Sequence, residues 1–297
     1  MHTKQEDFTP WQTYWDSKEM IDTPRGKFNV YSTNVESDFV LLCVHGAGHS
    51  GLSFSLIAPL LHDTCKIVSP DLKCHGETPG DSSKDLSLDN LVEDIIEIGK
   101  PYKEQGKKLL LLGHSLGGSI ATKASYTLKP IGLFVIDTIE GTALTAMPGM
   151  QRILNSRPKS FKTVNDAIRY FSMSGEMANP KSAAVSGAGR VRKCEDGKYR
   201  WITDLMPSEP YWVGWFKGFA ESFIKAPTYK VLILPNINNM DKAFIIGHMS
   251  GKFQLEIVNG THHCLHEDNP EHVKDIICKF IERMNIPVPV WKIDTKE

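Results

Sequence analysis

The chain has 297 residues, 41% of them hydrophobic and 23% charged, with a formal net charge of −1. That balance describes an ordinary soluble globular protein with room for one large α/β domain or two small ones. It excludes a bulk electrostatic case for binding nucleic acid or an anionic membrane surface, and no apolar stretch approaches the roughly 20 residues of a membrane-spanning helix. The six cysteines, at 43, 65, 74, 194, 264 and 278, include no C-x-x-C pair and read as reduced thiols. The polar, acidic start from Met1 to Asp7 lacks the features of a secretory or mitochondrial signal. The expected location is intracellular, in the cytoplasm, with the nucleus as a second candidate.

Residues 1–27 are expected to form an N-terminal arm that docks Trp11, Tyr14 and Trp15 on the core. Phe28–Tyr31 and Phe39–Val44 read as strands, the second so continuously apolar that both its faces are expected to be buried. A glycine-rich loop, His45-Gly46-Ala47-Gly48-His49-Ser50-Gly51, follows, and then helical spacing from Leu52 to Leu61. Lys66–Ser69 is a short strand ending at Pro70-Asp71, and Asp71 and His75 are expected to brace loops beneath the site. Leu88, Leu91, Val92, Ile95 and Ile96 recur at helical spacing behind candidate caps at 85–87. The apolar run Leu109–Leu112 is a strand, and Ile131–Ile136 is another, ending at Asp137. From 140 to about 227 no β-like run is visible, which predicts a helical cap inserted over the sheet. Its middle, Ser182–Arg200, is small and basic and is expected to be its most mobile part; Lys181, Arg190, Arg192 and Lys193 read as a solvated loop. Strands at Tyr229–Leu234 and Phe253–Val258, an element at Met240–Met249 and a last helix from Pro270 to about Met284 complete the alternation. Alternating strands and helices predict a mostly parallel sheet covered on both faces, with 1–297 as a single domain.

Gly113-His114-Ser115-Leu116-Gly117 carries the chemistry. G-x-S-x-G between a strand and a helix is a nucleophile elbow, which holds a serine on a strained turn at the carboxyl end of a sheet in the α/β-hydrolase fold. Ser115 then needs a base. His262, His263 and His266 follow the last strand, and His263 is the first choice. A zinc pair at His262 and His266 lacks a third ligand nearby, so no metal is expected. For the acid, Asp137 at a strand end is preferred to Asp241, because the loop after Leu234 offers the amides Asn236 and Asn238 close to the strand. Asp241 reads instead as a cap for the next helix. The N–H groups of Ala47 and Leu116 are the expected oxyanion donors.

Together these residues resemble the protein phosphatase methylesterase family. The resemblance rests on Val44-His45-Gly46-Ala47-Gly48-His49-Ser50, Asp71-Leu72 with His75-Gly76-Glu77-Thr78, the elbow, and Ile136-Asp137 with Glu140-Gly141-Thr142-Ala143. It extends through Arg157-Pro158-Lys159-Ser160-Phe161-Lys162 and Tyr211-Trp212 with Gly214-Trp215-Phe216-Lys217-Gly218 to Met240-Asp241-Lys242, Gly251-Lys252-Phe253-Gln254 and His263 with His266-Glu267-Asp268. It implies hydrolysis of the methyl ester on the C-terminal leucine of the protein phosphatase 2A catalytic subunit, with a Ser115–Asp137–His263 triad and no cofactor. The implied partner is that subunit and its tail, with the scaffold subunit as a further candidate. Gly46, His49, His114, Glu140 and Trp212 are the expected substrate-contacting residues. Trp215 and Phe216 join Trp212 as candidates for docking the partner or for the cap's own core. The chain departs from the family pattern at Leu116, where Met is common, at His262, where Gly is usual, and in a short loop at 194–198. The first 35 residues carry little resemblance. The rival readings are a small-molecule carboxylesterase of the same fold and a catalytically silent phosphatase-binding protein.

Overall fold

The computed structural model describes residues 7–80, 85–238 and 240–285. After a 3₁₀ turn at Trp11–Thr13 come an antiparallel pair, β1 (Ser17–Thr23) and β2 (Gly26–Ser32), then β3 (Phe39–Val44) and β4 (Lys66–Pro70). Helix α1 (Leu88–Glu104), β5 (Lys108–His114), α2 (Leu116–Leu128) and β6 (Gly132–Ile136) come next. Between β6 and β9 lie α3 (Glu140–Ser156), α4 (Val164–Met173), the short α5 (Pro180–Ser182), a two-stranded hairpin of β7 (Val191–Lys193) and β8 (Tyr199–Trp201), α6 (Trp212–Phe216) and α7 (Phe219–Lys225). The chain returns through β9 (Tyr229–Leu234), α8 (Lys242–Met249), β10 (Gln254–Ile257), α9 (Leu265–Asp268) and α10 (Pro270–Asn285).

Eight strands form one sheet in the order β1-β2-β4-β3-β5-β6-β9-β10. The pairs β1–β2 and β2–β4 are antiparallel, and all pairs from β4 through β10 are parallel. The apolar runs of β3 and β5 explain their central place. With side chains alternating across a strand, Val40, Leu42, Val44, Leu109 and Leu111 face one core with α1 and α2. Leu41, Cys43, Leu110 and Leu112 face the other, packed with Phe54, Leu61 and Phe280. A sheet buried on both faces has no use for polar alternation. The parallel strands all end on one side, and the loops after β3, β5, β6 and β10 converge there.

Several expectations are corrected. The arm is not merely extended: β1 occupies its second half as the sheet's antiparallel edge. Its aromatic docking is real, since Trp15 is buried and its Nε1–H donates to Ser55 Oγ at 2.9 Å. The helical spacing at 52–61 folds as two 3₁₀ turns, Gly51–Phe54 and Pro59–Leu61. The insertion after β6 does contain strands, β7 and β8, which only three residues each make invisible to a periodicity argument. Nor is its middle a solvated loop. Ala183, Ala184, Val185 and Ala188 are buried, and a methyl group on Gly187 would meet the Phe171 ring at 2.8 Å. Arg190 is buried too, although Arg192 and Lys193 are exposed. Small residues at 183–189 serve close packing, not mobility. Helix α8 starts at Lys242, two residues later than expected.

The tightest contact is between α2 and β3. A methyl group on Gly117 would stand 2.0 Å from the Val44 carbonyl oxygen, an atom fixed in the sheet. Gly117→Ala is therefore expected to cost about 3 kcal/mol, the upper range of overpacking, read by denaturant unfolding. A variant as stable as its parent would contradict this packing.

Candidate active site

Strand β5 runs directly into α2 with Ser115 as the only residue between them. Ser115 adopts φ 53° and ψ −120°, a backbone region rarely used by a non-glycine residue. It is held there by its own N–H, which donates to the Ile136 carbonyl at 3.0 Å, and by Thr138 Oγ1, which donates to the Ser115 carbonyl at 3.0 Å. Leu116, the first residue of α2, is buried and has no intrahelical acceptor for its N–H.

The loop after β3 lies against this turn. A methyl group on Gly46 would touch Ser115 Cβ at 3.2 Å and His114 Nδ1 at 3.0 Å. His45 fixes the loop from below: its Nε2 accepts the Leu72 N–H at 2.9 Å, so its Nδ1–H donates to the Gly46 carbonyl at 2.8 Å. Burial and the neighbouring His75 hold His45 uncharged. Asp71 supports the same floor, accepting from Gly51 N–H at 2.7 Å, Glu77 N–H at 2.8 Å and Asn29 Nδ2 at 2.8 Å.

Asp137, at the end of β6, also has positive φ, 43°, and its N–H donates to the Ile233 carbonyl of β9 at 2.9 Å. Its Oδ2 accepts His263 Nδ1–H at 2.7 Å. That bond leaves Nε2 of His263 with a free lone pair. The loop carrying His263 is pinned at both sides. His114 Nε2–H donates to the His263 carbonyl at 3.0 Å, and the His262 N–H donates to Asp268 Oδ2 at 2.8 Å. Asp268 Oδ1 accepts the Ala178 N–H at 2.7 Å, tying the loop to the insertion.

The His263 imidazole is half exposed yet walled in by the cavity. Enclosure works against its charged form, but the hydrogen bond and charge of Asp137, aided by Glu176, outweigh it and hold the pKa above 6.5. His114 and His49 are driven the other way, chiefly by burial, and stay neutral.

Ser115, Asp137, His263, Gly46, Ala47, His49, His114 and Trp212 all line one cavity of about 580 Å³. Of the expected contacts, Glu140 is displaced. It does not line this cavity; its carboxylate accepts the Gly218 and Ala220 N–H groups at 2.8 and 2.9 Å and caps α7. Asp241 takes the N-cap position of α8, but its carboxylate accepts the Gly141 N–H at 2.8 Å and so caps α3 instead. His262 is engaged by Asp268, while the buried His266 ring stacks on Phe54 and His114, so the two are held in separate settings. Trp212, Trp215 and Phe216 are buried, with Trp212 Nε1–H donating to Ser208 and Trp215 Nε1–H to the Leu86 carbonyl, so they are cavity wall rather than an exposed docking face. Sequence reasoning gave no site role to Met147, Met150, Ile153, Arg157, Tyr170 and Glu176, which also line the cavity. The positions 143, 146, 147, 150 and 153 follow helical spacing along α3, a signal that could have identified one cavity-facing stripe.

Comparison with known proteins agrees with this architecture. Residues 41–274 match the model of the alpha/beta hydrolase family. The structure superposes on an E-2-(acetamidomethylene)succinate hydrolase with a TM-score of 0.75 at 16% identity, covering 90% of this chain and 99% of that one. A thioesterase domain from the curacin biosynthetic pathway gives a TM-score of 0.70 at 18% identity, over 90% of this chain and 99% of that chain. Fold and relatives together define a serine hydrolase of the esterase class. Among curated proteins, protein phosphatase methylesterase 1 of Homo sapiens is 33% identical over 97% of this chain and 88% of its own length. The Schizosaccharomyces pombe protein of the same name is 36% identical over 95% of this chain and 87% of its own length. The chain belongs to the protein phosphatase methylesterase family.

The Asp137 contact predicts a measurable titration. NMR of the His263 ring should give a pKa above 6.5, with the charged form persisting to higher pH than in a free imidazole, and Asp137→Asn should lower it. An unchanged value in that variant would refute the coupling.

Proposed function

We propose that this protein removes the methyl ester from the C-terminal leucine of the protein phosphatase 2A catalytic subunit, using Ser115, His263 and Asp137 as a triad. The supporting observation is the Asp137–His263 hydrogen bond of 2.7 Å in the cavity that Ser115 and the Gly46–Ala47 loop also line. His263 Nε2 takes the Ser115 hydroxyl proton as the oxygen attacks the ester carbonyl. The N–H groups of Leu116 and Ala47 hold the oxyanion of the tetrahedral intermediate. As that intermediate collapses, the carbon–methoxy bond breaks and His263 returns the proton to the departing methoxide. Water, deprotonated by the same ring, then releases the leucine carboxylate and restores Ser115. Asp137 holds Nδ1 protonated throughout and stabilises the imidazolium. The chemistry requires no metal or organic cofactor.

The substrate's partner role is that of a protein tail entering beneath the cap formed by residues 140–227, with the phosphatase scaffold subunit as a neighbour. A membrane is not part of this reading: among the described residues no helix is long and apolar enough to cross one. The apolar wall of Met147, Met150, Ile153 and Phe216 also suits a short-chain acyl ester, which is the competing reading.

The decisive experiment incubates the purified protein with carboxymethylated phosphatase catalytic subunit and follows methyl loss by mass spectrometry. Ser115→Ala should lower the rate by roughly 10⁴–10⁶-fold. Turnover of p-nitrophenyl acetate without demethylation would favour the small-ester reading instead. Asp137→Asn should cost about 10⁴-fold, while Asp241→Asn should keep most of the rate, its carboxylate being engaged with Gly141. Since the base must be uncharged, kcat/KM should fall as the pH drops through the raised His263 pKa. A profile flat through that range would exclude His263 as the base.

A further inference from the structure

One charge in the cavity is left over. Arg157 and Glu176 both line it. The Glu176 carboxylate is already ion-paired with Arg190, which is buried behind it. Arg157 feels the charge of the same carboxylate but makes no ion pair with it. The next acid inward, Glu267, is driven towards its neutral form by burial. Arg157 has no side-chain hydrogen bond or ion pair among the described residues, and its guanidinium carbon lies over the Trp201 ring, 4.9 Å from the centroid. A guanidinium over a ring keeps its in-plane N–H donors free, and that fork matches a carboxylate. Partial enclosure and the charge of Arg190 both make an unneutralised Arg157 unfavourable, and the charge of Glu176 only partly offsets them. The arrangement lacks one anion.

We propose that Arg157 receives the carboxylate of an acidic side chain in the substrate tail, a few residues before the esterified terminus, and so sets sequence preference. This rests on the tail-demethylation reading above. Arg157, Glu176 and His263 line the same cavity, so a tail whose ester sits at the catalytic ring shares that space with the guanidinium. At about 3.3 Å per residue of extended chain, a cavity of about 580 Å³ admits only the last few residues of a tail, so the acidic residue falls close to the ester. A short-chain ester carries no second carboxylate for Arg157, so the residue distinguishes acidic peptide tails from small substrates.

The test uses the full chain and synthetic peptides ending in leucine methyl ester, with Glu or Gln placed in turn at the second, third and fourth positions from the end. The parent should favour Glu over Gln by about fivefold in kcat/KM at one of them, mostly through KM, as expected for one partly exposed charge pair. Arg157→Gln should bring that ratio close to one, and Arg157→Lys should keep part of it. Because the ratio is internal to each protein, a loss of overall activity does not disturb it. Should Arg157→Gln fail to fold, the parent's ratio should still shrink between about 50 mM and about 500 mM salt. Equal hydrolysis of Glu and Gln peptides by the parent, a ratio unchanged in Arg157→Gln, or a ratio insensitive to salt would overturn the proposal while leaving demethylation standing. Hydrolysis of p-nitrophenyl acetate with no turnover of any peptide ester would overturn the demethylation reading and this proposal with it.

Discussion

Everything at the site depends on how closely α2 approaches the sheet. Added methyl groups on Gly113, Gly117 and Gly118 would meet, respectively, the Gly117 carbonyl oxygen at 2.2 Å, the Val44 carbonyl oxygen at 2.0 Å and Thr138 Oγ1 at 2.3 Å. No side chain fits at any of the three. The turn between β5 and α2 is thereby confined to one residue, and Ser115 takes a positive φ because no other path joins strand to helix. The same geometry puts the first amide of α2 at the serine and brings the Gly46 loop alongside. Backbone strain of this kind costs on the order of 1–3 kcal/mol and survives only where the surroundings dictate it.

The second strained residue, Asp137, follows from the first. It leaves β6 next to the elbow, and the Ile136 carbonyl just before it accepts the Ser115 N–H. Two positive-φ residues at the ends of adjacent strands thus bring two candidate catalytic side chains to one cavity. His263 comes from a distant loop, and that loop is fixed by polar contacts rather than by a sheet register. His114, the variable residue of the elbow motif, supplies one of these contacts through the His263 carbonyl. Its buried ring is held neutral and lines the cavity while fixing this loop.

The insertion after β6 closes the cavity and gives it chemical character. Helix α3 contributes an apolar stripe, while α4 and the turn after it contribute Tyr170, Ser174 and Glu176. The insertion is tied to the body by Asp241 on the start of α3, Asp268 on Ala178 and Ser182 on the Glu267 carbonyl. These anchors converge on the loops that carry the site, so the wall and the proposed catalytic residues are held by one frame.

Local sequence determined a good deal. Apolar runs marked β3, β5, β6 and β9, because a strand buried on both faces must be continuously apolar. The elbow motif located the nucleophile candidate, since its glycines report a contact distance and not merely a composition. Chain order pointed to the loop holding His263, and the amides after Leu234 directed attention to Asp137. Other features were decided only by the tertiary structure. Glu140 and Asp241 look alike in sequence to site acids or ordinary caps, yet each carboxylate caps a helix remote from its own, Glu140 across 78 residues and Asp241 across 100. The stretch 183–190 looks like a mobile basic loop until Phe171 packs against its small residues and Glu176 pairs with Arg190. The excess charge at Arg157 has no local signature, because it arises from two arginines and one glutamate brought together from separate parts of the insertion. Periodicity reports what a residue does within its own element. Which distant partner neutralises or caps it is a property of the assembled fold.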